Sequence, residues 1–142
     1  MDEARLEAFH LIEAVQTEDA PAPEELERRL AAADAAGRGD VARVLLYALA
    51  VQASMAGNES TGPVGERMLE RCAADGEPAM LATALAFHAS FLLAVSEIDK
   101  SDDAMARAVT LLDGLEGPGL ELVTALVQCA LVYQRRRLWE LC

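Results

Sequence analysis

Aromatic residues make up only 4% of this sequence: one Trp, two Tyr and three Phe in 142 residues. Stacked rings therefore contribute little to its core. The β-branched runs that a sheet needs are also missing. Lysine occurs once, at Lys100, against eleven arginines, and acids outnumber bases 24 to 12. The resulting charge of −12 repels phosphate, which argues against nucleic acid and anionic membrane as direct partners. The three cysteines, Cys72, Cys129 and Cys142, are odd in number and far apart. They form neither a disulfide framework nor a zinc pattern, and a reducing cytoplasm suits them. The uncharged stretch from Ala79 to Val95 is rich in Ala and carries Thr83, His88 and Ser90, so it reads as buried in protein rather than as a membrane span. The N-terminus, MDEARLEAF, is acidic where a secretion signal is basic.

What is present is alanine, 28 residues of it, within a 53% hydrophobic and 25% charged chain. Alanine is the best helix former and lets backbones approach closely, so the composition predicts many thin helices. The charge is uneven: residues 1–38 hold ten acids and four bases. Arginine over lysine, together with the alanine content, suggests a GC-rich bacterial genome.

The punctuation predicts seven helices. Residues 2–16 form the first, and TEDAPAP, from Thr17 to Pro23, is a loop that two prolines keep from being helical. Glu24 and Glu25 open the second, with Leu26, Leu30 and Ala33 on one face and Gly37 as its stop. Asp40 caps the third, which is uncharged from Val44 to Asn58. Ser60 or Thr61 caps the fourth, which Gly76 ends. Pro78 opens the fifth, uncharged from Ala79 to Val95; Ser101-Asp102-Asp103 caps the sixth, and Gly117 precedes the seventh. Helices three, five and seven are uncharged over long stretches and are expected to be buried on several sides. Helices two, four and six are amphipathic and belong on the outside.

This alternation repeats. Tyr47-Ala-Leu-Ala-Val-Gln-Ala53 aligns with Thr83-Ala-Leu-Ala-Phe-His-Ala89 and with Thr124-Ala-Leu-Val-Gln-Cys-Ala130, at steps of 36 and 41 residues. A helix pair recurring at that interval reads as an α-solenoid, and an Ala-rich helical bundle is the alternative. In the last copy Leu126, Cys129, Ala130 and Tyr133, followed by Trp139 and Cys142, stand at the spacing of a tetratricopeptide repeat. Residues 40–142 thus resemble that family, with Arg137 where its turn glycine stands. The resemblance implies an all-α fold of about seven helices, stacked as antiparallel pairs into a short superhelix over a single domain, residues 1–142. It also implies a turn over Arg135–Leu138, with Trp139 opening another helix. The chain then reads as the N-terminal part of a longer protein. It is similar to the N-terminal modules of bacterial multidomain signalling proteins, including diguanylate cyclases and transcriptional regulators.

In that family the first helix of each pair lines the concave groove. The resemblance therefore places Tyr47, Ala50, Ser54, Thr83, Ala86, Phe87, Ser90, Val127, Leu131 and Gln134 on a partner-binding groove, with His88 beside Phe87. Such a face suits an apolar helix or peptide, or a second copy of the chain as a homodimer. A small-ligand domain, with Tyr47, Phe87, His88 and Tyr133 around an enclosed apolar pocket, is the alternative.

Motifs with catalytic or metal chemistry are weak. Glu7-Ala-Phe-His10 has the Glu-x-x-His spacing of helix-bundle di-iron sites, but His88 has Leu85 at that offset, so no second pair exists. Arg38-Gly39-Asp40 is explained by a helix stop and cap, and Asn58-Glu59-Ser60 is a glycosylation sequon in form only. Arg135-Arg136-Arg137 is a basic cluster suited to a helix C-terminus. No nucleophile–base set or phosphate loop stands out, so the expectation is a non-catalytic, cofactor-free module.

Overall fold

The computed structural model describes residues 2–57, 61–116 and 119–141. Among them are seven helices and no strand: α1 (Glu3–Ala14), α2 (Pro23–Ala35), α3 (Gly39–Ala56), α4 (Thr61–Asp75), α5 (Pro78–Ala94), α6 (Ile98–Leu112) and α7 (Leu120–Leu141). The fold is all-α, as the composition predicts. Asn58, Ser60, Gly117 and Cys142, which carry expected stops, a cap and a sequon, lie outside the described residues. Two compact units divide the chain, Met1–Arg71 and Cys72–Cys142, and each is taken by itself.

In the first unit α3 packs against both α1 and α2. Its residues Val41, Ala42 and Val44 to Ala50 are all buried. Alanines at 42, 48 and 50 keep that helix thin, so its neighbours approach its backbone closely. α2 turns Leu26, Leu30 and Ala33 inward, the face its spacing predicts. Its outer side carries Glu27 and Asp34, which pair with Arg67 and Arg71 of α4 at 2.8 Å each. The turn after α2 is a Schellman stop. Gly37, at φ 70°, donates its N–H to the Asp34 carbonyl, and Arg38 donates to Ala33 at 2.8 Å.

Asp40 does not cap α3. The helix begins one residue earlier, at Gly39, and the Asp40 carboxylate receives the Arg38 guanidinium at 3.0 Å. Arg38 also donates to Asp2, the residue that caps α1 by accepting the Arg5 N–H. One guanidinium thus ties the starts of α1 and α3 together. Hydrogen bonds from the Arg5 backbone and then Arg38 hold the Asp2 carboxyl below its ordinary range. Arg38 does the same to Asp40.

In the second unit α5 packs against α6 and α7. Glu77 caps it, accepting the N–H groups of Ala79 at 3.1 Å and Met80 at 2.6 Å, and Pro78 occupies the first turn. Ten of its seventeen residues are buried. The turn after α5 repeats the Schellman geometry with serine in place of glycine. Ser96 stands at φ 65°, donates to Leu93, and is followed by Glu97 donating to Leu92 at 2.8 Å.

That stop moves the start of α6. Ser101-Asp102-Asp103 is not its cap: α6 begins at Ile98, and Ser101 lies inside it. Ser101 is buried, and its hydroxyl donates across to the Ala89 carbonyl of α5 at 2.7 Å. The buried stripe of α6 continues through Ala104, Met105 and Ala108.

Candidate interaction surface

α7 is one uninterrupted helix from Leu120 to Leu141. The turn expected over Arg135–Leu138 is therefore absent. Three arginines and a leucine contain no helix breaker, and local propensity carries the helix through. Nor is α7 buried on several sides. Its inward stripe is narrow: Ala125, Gln128, Cys129 and Val132, at the i, i+3, i+4, i+7 spacing of one helical face. Arg136 extends that stripe, pairing with Asp102 of α6 at 3.0 Å and with Glu140 at 3.2 Å. Asp102 beside it raises the guanidinium pKa further. Burial pushes the Cys129 thiol up.

The opposite side of α7 is exposed and apolar. Val123, Leu126, Val127, Leu131 and Leu138 all lie open, Val127 at 55% and Leu131 at 41% exposure, and Tyr133 is exposed at the flank of this side. Scattered exposed apolar residues are ordinary, whereas a continuous face of them marks an interaction surface. Ala130, on the same side, is exposed too.

The residues expected on a groove separate by burial. Tyr47, Ala50, Thr83, Ala86 and Phe87 are buried, so none presents an open face to a partner. Thr83 satisfies its hydroxyl within its own helix, donating to Ala79 at 3.1 Å. His88 and Ser90 are half-buried, and Ser90 accepts a hydrogen bond from Arg135. Ser54, Val127, Leu131 and Gln134 are exposed. The last three stand together on the outer side of α7. Sequence reasoning missed Val123, Leu126 and Leu138 as surface residues, because an apolar run does not say what covers it.

Concavities are also present among the described residues of each unit. In the first unit, Ala8, Leu11, Ala33, Val41 and Leu45 line one of about 360 Å³, edged by Glu7, Arg29 and Arg38. Leu6, Glu7, His10, Leu11 and Arg29 line a wider one of about 530 Å³. Among the described residues no group of three His, Cys, Asp or Glu side chains could hold a metal ion, so Glu7 and His10 find no second carboxylate–His pair. In the second unit, Tyr133 shares a concavity of about 240 Å³ with Met105, Val132 and Arg136, and neither Phe87 nor His88 lines it. Among the described residues no helix is long and apolar enough to cross a membrane.

The chain matches no family model, no curated protein and no solved structure.

Proposed function

We propose that this chain is a non-catalytic, helical-repeat interaction module of a bacterial signalling protein, and that it binds protein through the outer face of α7. The observation that carries the reading is the exposed, largely apolar side of that helix, Val123, Val127, Leu131 and Leu138, with Gln134 as a polar member among them. A face of this kind is covered in the working assembly, since leaving it in water forgoes roughly 25 cal/mol per Å². Repetition of one helix pair along the sequence supports the tetratricopeptide-like part of the reading. So does the packing within each unit, where α1 meets α3 and α5 meets α7. The buried cysteines Cys72 and Cys129 suit a reducing cytoplasm.

The test is capture. The immobilised chain and its Val127→Glu and Leu131→Glu variants are exposed to bacterial lysate. A protein held by the wild type and lost by both variants supports the reading, and identical profiles count against it. Both positions are exposed, so the fold tolerates the change.

A second reading, a small-ligand domain, is favoured by the 360 Å³ concavity of the first unit, which is of ligand-pocket size. Its floor is apolar and its edge carries Glu7 beside Arg29 and Arg38, which suits a small, mainly aliphatic molecule with a polar end. Ala33→Trp fills that space. Loss of a ligand-induced rise in melting temperature in that variant would support it.

A further inference from the structure

We infer that the protein covering α7 is a second copy of this chain, with the two α7 helices paired antiparallel along one heptad seam. The inference rests on the reading above that this face binds protein, and it names the partner.

The seam is written in the spacing. Leu120, Thr124, Val127, Leu131, Gln134, Leu138 and Leu141 follow one another at alternating steps of four and three residues. That is the a/d repeat of a two-stranded coiled coil. Val127, Leu131, Gln134, Leu138 and Leu141 are exposed, while Leu120 and Thr124 are half-buried. The helix spends its other face, Ala125 to Val132, on its own unit, so the seam is not in use there.

The order of residues along the seam selects the orientation. Thr124 and Gln134 are its two polar members, and they stand equally far from its middle pair, Val127 and Leu131. When two copies run antiparallel with Val127 opposite Leu131, Thr124 of each meets Gln134 of the other, and Leu120 meets Leu138. Both polar residues then share a layer. The Thr124 hydroxyl donates to the Leu120 carbonyl at 2.7 Å and keeps its lone pairs to accept from the glutamine amide.

Charge agrees. In the antiparallel register the flanking position that holds Glu121 in one copy faces Arg135 in the other, at both ends of the seam. In a parallel register Arg135 and Arg137 would crowd their own copies at one end, with like charges together. Arg135 already donates to Ser90, and its guanidinium has further N–H groups to offer. Across the chain, α7 is also the helix on which two copies of an acidic protein can approach. It carries Arg135, Arg136 and Arg137 against Glu121 and Glu140, whereas each of the other six helices is neutral or net negative.

Sedimentation equilibrium on the 142-residue chain tests this. The wild type is expected to form a dimer. Leu131→Glu, at the centre of the seam, is expected to raise its dissociation constant by roughly 30-fold or more. Arg135→Glu weakens the dimer by roughly tenfold, and adding Glu121→Arg to it restores the dimer, although the contact to Ser90 stays lost. Orientation is read with a short bis-maleimide linker in a Cys142→Ser background. A mixture of Leu120→Cys and Leu138→Cys chains cross-links, while Leu138→Cys alone does not, since its two copies lie about 27 Å apart along the antiparallel seam. Four results overturn the inference: a wild type that stays monomeric at roughly 1 mM, a dimer indifferent to Leu131→Glu, a failure of the double charge swap to restore it, or self-cross-linking of Leu138→Cys. A monomer whose α7 face still captures another protein from lysate removes the self-pairing and leaves the interaction module standing. Circular dichroism of each variant separates lost pairing from lost fold.

Discussion

The Ser101 hydroxyl donates to the Ala89 carbonyl at 2.7 Å, and both residues are buried between α5 and α6. Serine is the right size here because an alanine-lined helix leaves room for little more. Ser101→Ala removes the hydrogen bond and is expected to cost about 1 kcal/mol. Ser101→Leu overpacks the same contact and is expected to cost about 1–3 kcal/mol. Urea unfolding measures both, and equal stabilities for the three chains would refute this account.

Ser96 holds the left-handed conformation that glycine holds at Gly37 and Gly76. A side chain in that region is strained by about 1 kcal/mol. Ser96→Gly is therefore expected to stabilise the protein by about 0.5–1 kcal/mol, part of the relief being offset by glycine's freedom in the unfolded chain. Gly37→Ala is expected to do the reverse. The space around Gly37 is open, so strain alone sets the loss. Thermal melts of the two variants should move in opposite directions.

Arg38 depresses the pKa values of Asp2 and Asp40 from their ordinary 3.8. A carboxylate whose folded pKa is lowered adds stability that is fully present above its unfolded pKa, and that stability is lost as pH falls through the folded pKa. Arg38→Gln should therefore be less stable than the wild type at pH 5–7, with the gap closing below about pH 4. Both carboxylates are partly exposed, Asp2 at 52% and Asp40 at 38%, so the gap is small and shrinks in high salt. Melting curves at pH 7, 5 and 3 are the measurement.

Cys129 is a buried thiol whose pKa burial raises above the ordinary 9.0. Only the thiolate reacts with alkylating reagents. Iodoacetamide at pH 8 should modify Cys129 slowly in the native protein and rapidly in urea, read by peptide mass spectrometry. Fast native labelling would mean that α7 opens from α5 far more often than its packing implies.

The helices themselves were legible because glycine, proline and acidic first turns punctuate this chain. Their boundaries were less so. Ser101-Asp102-Asp103 carries the same local signal as a cap or as an early turn. What decides is where α5 stops, and that rests on Ser96 in a conformation serine seldom takes. The face of α7 misled for a different reason. From Leu122 to Gln134 the sequence is uncharged, which states that the helix is to be covered but not by what. The narrow stripe from Ala125 to Val132 is covered by the chain itself, and Val127 and Leu131 are not. Of the predicted groove, Val127, Leu131 and Gln134 are surface residues that share one side of a helix. Tyr47, Thr83 and Phe87 went to the core, because uncharged helices packed by alanine draw their few large side chains inward.

The protein has a single tryptophan, Trp139, and it stands on α7, in the second unit, partly exposed. Intrinsic fluorescence excited at the red edge therefore watches that helix alone, whereas far-ultraviolet dichroism sums every helix in both units. Coincident denaturation curves from the two probes would mark a single cooperative transition. A fluorescence midpoint displaced from the dichroism curve would make the chain two folding bodies, with the emission of one residue recording when the second lets go.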